Sequence, residues 1–113
     1  MSYRFHPIAI EQQESIWFYT YETWGENQAD RYITELHQFI EELCRKPKSP
    51  RIKRVPVDFD DPVYAGRFRH HYIYFKRASR ERDAILVLSV LHESMDLPAR
   101  LRETLSRIQA GQD

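Results

Sequence analysis

Residues 84–91 read Ala84-Ile85-Leu86-Val87-Leu88-Ser89-Val90-Leu91, eight positions with no charge and a single hydroxyl. A strand with one face in water alternates apolar and polar residues. This stretch does not alternate, so it predicts a strand covered on both sides. Just before it, His71 to Arg77 alternates aromatic and branched residues and predicts the partner strand. Ala78 to Asp83 between them is polar, a turn that would make the two a hairpin. Val63 to Arg69 predicts a third strand, with Gly66 as a bulge or a point of close approach.

Further upstream, residues 46–62 hold four prolines and five Lys/Arg and predict mostly loop. Before them, Ala29, Tyr32, Ile33, Leu36, Phe39, Ile40 and Leu43 recur at i, i+3, i+4 and i+7. That stripe predicts a helix to about Arg45, stopped by Lys46-Pro47, with Asn27 as cap and Asp30 as first-turn acid. From Ala9 to Trp24 another stripe, Ile10, Trp17, Tyr21 and Trp24, supported by Ile16 and Thr20, predicts a first helix ended by Gly25. So short a link makes the two an antiparallel hairpin, expected to bury Trp17, Trp24 and Leu36 against the sheet. Tyr3 to His6 predicts a short strand before Pro7, and Asp96 to Ile108 a C-terminal amphipathic helix. The order is βααβββα, an α+β fold with an antiparallel meander.

The chain's 113 residues suit one domain, 1–113, with its core about 3–101. Hydrophobic residues are 42% and charged residues 30%, and no apolar run approaches the roughly 20 residues of a membrane span. The N-terminus lacks a signal-peptide core, so the expected location is cytoplasmic. The one cysteine, Cys44, lies on the apolar side of its helix and reads as a small buried residue. The net charge of zero hides an asymmetry. Residues 1–44 carry two arginines against eight carboxylates, a balance of −6. Residues 45–82 carry twelve Lys/Arg against four carboxylates, or +8, and residues 83–113 come to −2. An acidic helical half joined to a basic half suits a polyanion or an acidic partner.

The catalytic motifs are sparse. Adjacent His70 and His71 would point to opposite faces of a strand, which does not suit one metal, and no cofactor is implied. Three glycines cannot build a phosphate-cradling loop, and Ser94, His92 and Asp96 are too local in sequence for a triad without a nucleophile elbow. Phosphodiester cleavage would need cations and a proton shuttle. Lys53, Arg54, Arg67 and Arg69 could supply the first, and His70, His71, His92 or Tyr74 the second. No compact base-plus-cation cluster is legible in the sequence.

Three segments together resemble a known family. They are Ala9…Ile16-Trp17…Trp24-Gly25…Gln28-Ala29…Tyr32, the strand His71-Tyr72-Ile73-Tyr74-Phe75-Lys76, and above all Val90-Leu91-His92-Glu93-Ser94-Met95-Asp96. They are similar to the RelE/ParE superfamily of type II toxins, closest to its ParE branch. The departures are His6 where the family often has Ser or Thr before the helix-start proline, and Gln12-Gln13 where it often has Asp-Leu. The resemblance implies a growth-inhibiting toxin neutralised by a cognate antitoxin, and it allows a higher-order toxin–antitoxin assembly. The ParE branch implies binding inhibition of DNA gyrase without catalysis. The alternative is a ribosome-dependent mRNA endonuclease of the RelE type. Either way the candidate contact residues are Lys53, Arg54, Arg67, Arg69, His70 and His92.

Overall fold

Pro7 opens the first helix because its fixed φ and missing N–H suit a first turn. His6 supplies the cap: its Nδ1 accepts the amide of Ile8 at 3.2 Å, the task a Ser or Thr hydroxyl performs elsewhere. The computed structural model describes residues 3–77 and 85–111. In chain order these form β1 (Tyr3–Phe5), α1 (Pro7–Trp24), α2 (Glu26–Arg45), β2 (Lys53–Val55), β3 (Val63–Phe68), β4 (His71–Arg77), β5 (Ile85–His92) and α3 (Leu97–Ala110). The expected turn at 78–83, and Ala84, lie outside the described residues.

One residue joins the two helices of the hairpin. Gly25, at φ +95°, donates its N–H to Tyr21 O at 2.9 Å and accepts the amide of Ala29 at 3.1 Å. That left-handed backbone is open to glycine at little cost. The helix therefore starts at Glu26, and Asn27 is inside it rather than its cap. Asp30 is spent on a tertiary contact, accepting the Trp17 indole N–H at 2.9 Å.

The sheet runs β1-β5-β4-β3-β2. β3 to β5 form the expected antiparallel meander and β2 extends it beyond expectation, whereas β1 pairs parallel to β5 with Phe5 opposite Val87. The proline-rich loop contributes β2, a three-residue edge strand. Between β4 and β5 the register jumps: Tyr74 faces Ser89 and Phe75 faces Val87, so Leu88 is the extra residue of a bulge. The bulge is stitched to α1. The Gln12 carboxamide oxygen accepts both the Val90 amide (2.7 Å) and the Ser89 hydroxyl (3.0 Å).

Two apolar layers sandwich the sheet. Leu36, Phe39, Ile40 and Leu43 of α2 meet Ile73, Phe75, Ile85, Val87 and Val90 on one side. Leu101, Leu105 and Ile108 of α3 meet Val63, Tyr74, Leu88 and Leu91 on the other. Gly66 is a point of close approach: a Cβ there would come within 3.2 Å of Leu43. Cys44 is buried, as expected.

The first helix departs from expectation. Trp24 is 70% exposed, Ile10 and Tyr21 are exposed, and Trp17 is only half-buried. The inward face is made instead by Ile8, Ala9, Gln12 and Ile16. Two causes combine: Ile10 lies off the face formed by Ala9, Gln12 and Ile16, and the last turns have no sheet beneath them. His6 is bonded to Val87 and Gln12 to Val90, yet β5 ends at His92. From Gln12 the helix continues for roughly another 18 Å at 1.5 Å per residue, so its last turns outrun the sheet.

Leu36→Ala should therefore cost about 2–5 kcal/mol, by lost transfer energy plus cavity. Trp24→Ala, on a face with nothing packed over it, should cost less than about 0.5 kcal/mol. Denaturant melts of the two variants against the parent check both, and similar losses would refute the assignment of faces.

Candidate functional site

The β3–β4 connection is a two-residue turn, Arg69-His70, closed by the pair Phe68 and His71. Arg69 sits at φ +54°, a left-handed conformation that glycine or asparagine adopts more readily. An arginine held there points to a use for its side chain. Its guanidinium lies over the rings of Phe68 (5.1 Å) and Tyr32 (5.6 Å) and is paired with Glu35 of α2.

Around this turn the fold gathers residues far apart in sequence. Arg67, leaving β3, bonds Glu93 at 2.5 Å and the Arg69 carbonyl at 2.9 Å. His70 Nδ1 meets the other Glu93 oxygen at 2.7 Å. His71 Nδ1 meets the Tyr32 hydroxyl at 2.6 Å. The His92 ring lies 5.0 Å from that of His71 and 6.2 Å from that of His70. Its Nδ1 accepts the Ser94 amide at 3.0 Å, so His92 pins the turn that leaves β5.

Arg67, Arg69, His70 and His92 thus come together, joined by His71, Tyr32, Glu35 and Glu93. These cations and imidazoles are legible singly in the sequence, but their assembly into one base-plus-cation cluster is not, because its members come from α2, the β3–β4 turn and the end of β5. Lys53 and Arg54 do not join it. They are exposed on β2, opposite Ala65 and Tyr64. Tyr74 is also apart, buried in the α3-side layer and stacked with Tyr72.

The electrostatics are those of a paired surface. Each arginine faces a carboxylate. The bond from His70, with Arg67 alongside, holds the Glu93 carboxyl below its usual range. Burial, then the neighbouring His92 and His70, lowers His71 to about 4, so at neutral pH it is an uncharged imidazole. Burial raises the Tyr32 phenol. Such a patch can bind through two arginines, polar rings and an exposed turn, but its cations are already engaged.

The hairpin, the sheet and this cluster all fall within residues 3–97, which match the family model described as the ParE toxin of type II toxin–antitoxin system, parDE. The chain is also 35% identical over 99 residues to Toxin ParE1 of Mycobacterium tuberculosis, covering 88% of this chain and 96% of that relative. It is 34% identical over 89 residues to Toxin ParE of Escherichia coli, covering 77% and 80%. The chain belongs to the ParE toxin family. It is a toxin of the type II toxin–antitoxin class, which implies a cognate antitoxin as partner. The match ends at Leu97, where α3 begins, so the ParE pattern spans the cluster and leaves most of that helix outside. Among the described residues, no helix of this ParE chain is long and apolar enough to cross a membrane.

His71 yields a pH prediction. Above its ordinary value of 6.5 both folded and unfolded chains leave it neutral. As pH falls from 6.5 toward 4 the unfolded chain takes a proton that the folded chain refuses, so stability falls with pH. Because the ring is partly solvated, the full shift overstates the effect. Between pH 7.5 and 5 the parent should lose about 1 kcal/mol more than His71→Gln, measured by denaturant midpoints. Equal losses in parent and variant would show that His71 titrates normally.

Proposed function

We propose that this toxin inhibits DNA gyrase by binding it, using the β3–β4 turn and its surroundings as the contact surface, and makes or breaks no bond itself. The observation that carries this reading is the pairing of the cluster. Arg67 and His70 are both held by Glu93, and Arg69 by Glu35. A nuclease needs cations free to meet a pentacoordinate phosphate and a base within reach of a 2′-hydroxyl. Here the cations are neutralised, and the deepest imidazole is bonded to a phenol. The ParE relationship supports the same choice. On this reading the toxin works in the cytoplasm, and exposed Lys53 and Arg54 add a peripheral basic rim.

The second reading is a RelE-type ribosome-dependent mRNA endonuclease. It draws on one observation, the gathering of three imidazoles and two arginines at one end of the sheet. The two readings separate in a paired assay with purified toxin: gyrase supercoiling beside primer extension on a ribosome-bound message. Inhibited supercoiling with intact message supports binding inhibition, and codon-positioned breaks with supercoiling untouched would promote the nuclease.

Arg69→Gly sharpens the distinction. Glycine relieves the left-handed backbone, so stability should change by less than about 1 kcal/mol even though the guanidinium contacts are lost. Gyrase inhibition should weaken by roughly threefold to tenfold, in a graded and salt-sensitive way. A nuclease that lost a transition-state cation would instead lose about a hundredfold or more in rate, with binding little changed.

A further inference from the structure

All but one of the large apolar side chains exposed among the described residues lie on a single helix. They are Ile10, Phe18, Tyr19, Tyr21 and Trp24 of α1, with Met95 the exception. Four of these five fall between residues 18 and 24, the part of α1 that outruns the sheet. There Trp17 stacks on Tyr21 at 5.2 Å with rings 8° from parallel, and Phe18 sets its edge to Trp17 at 5.3 Å. The Trp17–Asp30 bond fixes this group to α2. The result is an exposed aromatic ridge on a braced hairpin tip. Exposed clusters of this kind mark interaction surfaces, and Trp and Tyr dominate the energetics of such contacts.

The tip is at the same end of the molecule as the β3–β4 turn. Tyr32 bonds His71 and Glu35 pairs with Arg69, and Gly25 precedes Tyr32 by seven residues. At 1.5 Å per residue the tip stands roughly 10 Å beyond the turn. One large partner approaching that end meets both.

Charge and shape narrow the partner. α1 carries Glu11, Glu14 and Glu22 and no Lys or Arg, and Glu26 follows at the tip. A second copy packed ridge to ridge would bring these carboxylates together with no cation from either α1, so self-association is disfavoured. Those carboxylates instead suit a partner that brings cations around an apolar site. We propose that the α1–α2 tip, through Phe18, Tyr21 and Trp24, inserts into an apolar cleft with a basic rim on the toxin's target protein, extending the contact surface of the β3–β4 turn. This rests on the reading that the toxin acts by binding a protein.

The test uses Phe18→Ser and Trp24→Ser, singly and together, in the full chain. Both side chains are at least 60% exposed, so the variants should melt with the parent. The readouts are growth arrest on expression without antitoxin, gyrase supercoiling, affinity for the cognate antitoxin, and sedimentation. The double variant should lose growth arrest and need at least about tenfold more toxin to inhibit supercoiling, while antitoxin affinity stays within about threefold. Glu22→Lys should weaken inhibition at low salt, with part of the loss regained as salt rises.

Unchanged growth arrest and supercoiling inhibition in the double variant would overturn the proposal. So would a fall of about tenfold in antitoxin affinity, which would make the tip the antitoxin's dock. A parent dimer that the variants disperse would make it a self-contact and overturn it equally. If the parent never inhibits supercoiling yet the variants still lose growth arrest, the tip proposal stands and the gyrase assignment falls.

Discussion

β5 has no face that can meet water, and the rest of the fold follows from that. Leu88 and Leu91 point to one layer and Ile85, Val87 and Val90 to the other, all nearly inaccessible. At about 25 cal/mol per Å² of apolar surface, a strand so built is stable only when covered twice. The hairpin covers one side and α3 the other, while β1 and β4 take its two backbone edges. The parallel pairing of β1 fits this logic: the chain passes along β5 once, leaves the sheet at His6-Pro7, and runs on as α1 over the same strand. His6 serves both steps, donating its amide to Val87 O at 2.8 Å and capping α1 with its ring.

The two departures of sequence from the family pattern prove to be working parts of this arrangement. Gln12 satisfies the amide and hydroxyl that the β5 bulge would otherwise leave unpaired inside the protein, where an unmet donor costs on the order of 1–3 kcal/mol. Gln13 meets His37 Nε2 at 2.5 Å, and His37 Nδ1 meets the Tyr3 hydroxyl at 3.0 Å, tying α1, α2 and β1 together. Burial lowers His37, so the link is made by a neutral ring. A carboxylate at position 12 could accept the same two donors. The amide does so without bringing a charge to the inner face of the helix.

Periodicity made the elements legible, but it did not identify which side of α1 faces inward. The α2 stripe ran true, since Leu36, Phe39, Ile40 and Leu43 all reached the core. The Ile10, Trp17, Tyr21 and Trp24 stripe is just as regular and faces out. Regularity reports that a helix has two faces. Which face is buried depends on what lies beneath, and the sheet was too short to reach the end of α1. The candidate cluster was hidden for another reason. Its long-range bonds join residues 23 to 39 apart, from His70 to Glu93 and from Tyr32 to His71. Arg69 was visible as a cation, but its left-handed backbone followed from the tightness of the turn, which local composition does not state. Lys53 and Arg54 were equally visible as cations and stand elsewhere.

Charge separation along the chain has a structural counterpart that alters its meaning. A balance of +8 in residues 45–82 suggests an open basic face, yet Arg67, Arg69, Lys76 and Arg51 are paired with Glu93, Glu35, Asp61 and Glu42. Two of those carboxylates, Glu35 and Glu42, belong to the acidic half, so part of the asymmetry is consumed in joining α2 to the sheet side. Exposed pairs of this sort contribute little to stability, about 0–1 kcal/mol each. They also leave a binding surface that is poised rather than strongly cationic. A partner must displace or share these pairs, which favours close geometric fit over bulk attraction to any polyanion. An unpaired basic face would be drawn to every nucleic acid in the cell. The paired one, set beside an aromatic tip, fits discrimination among protein surfaces better than broad affinity for phosphate.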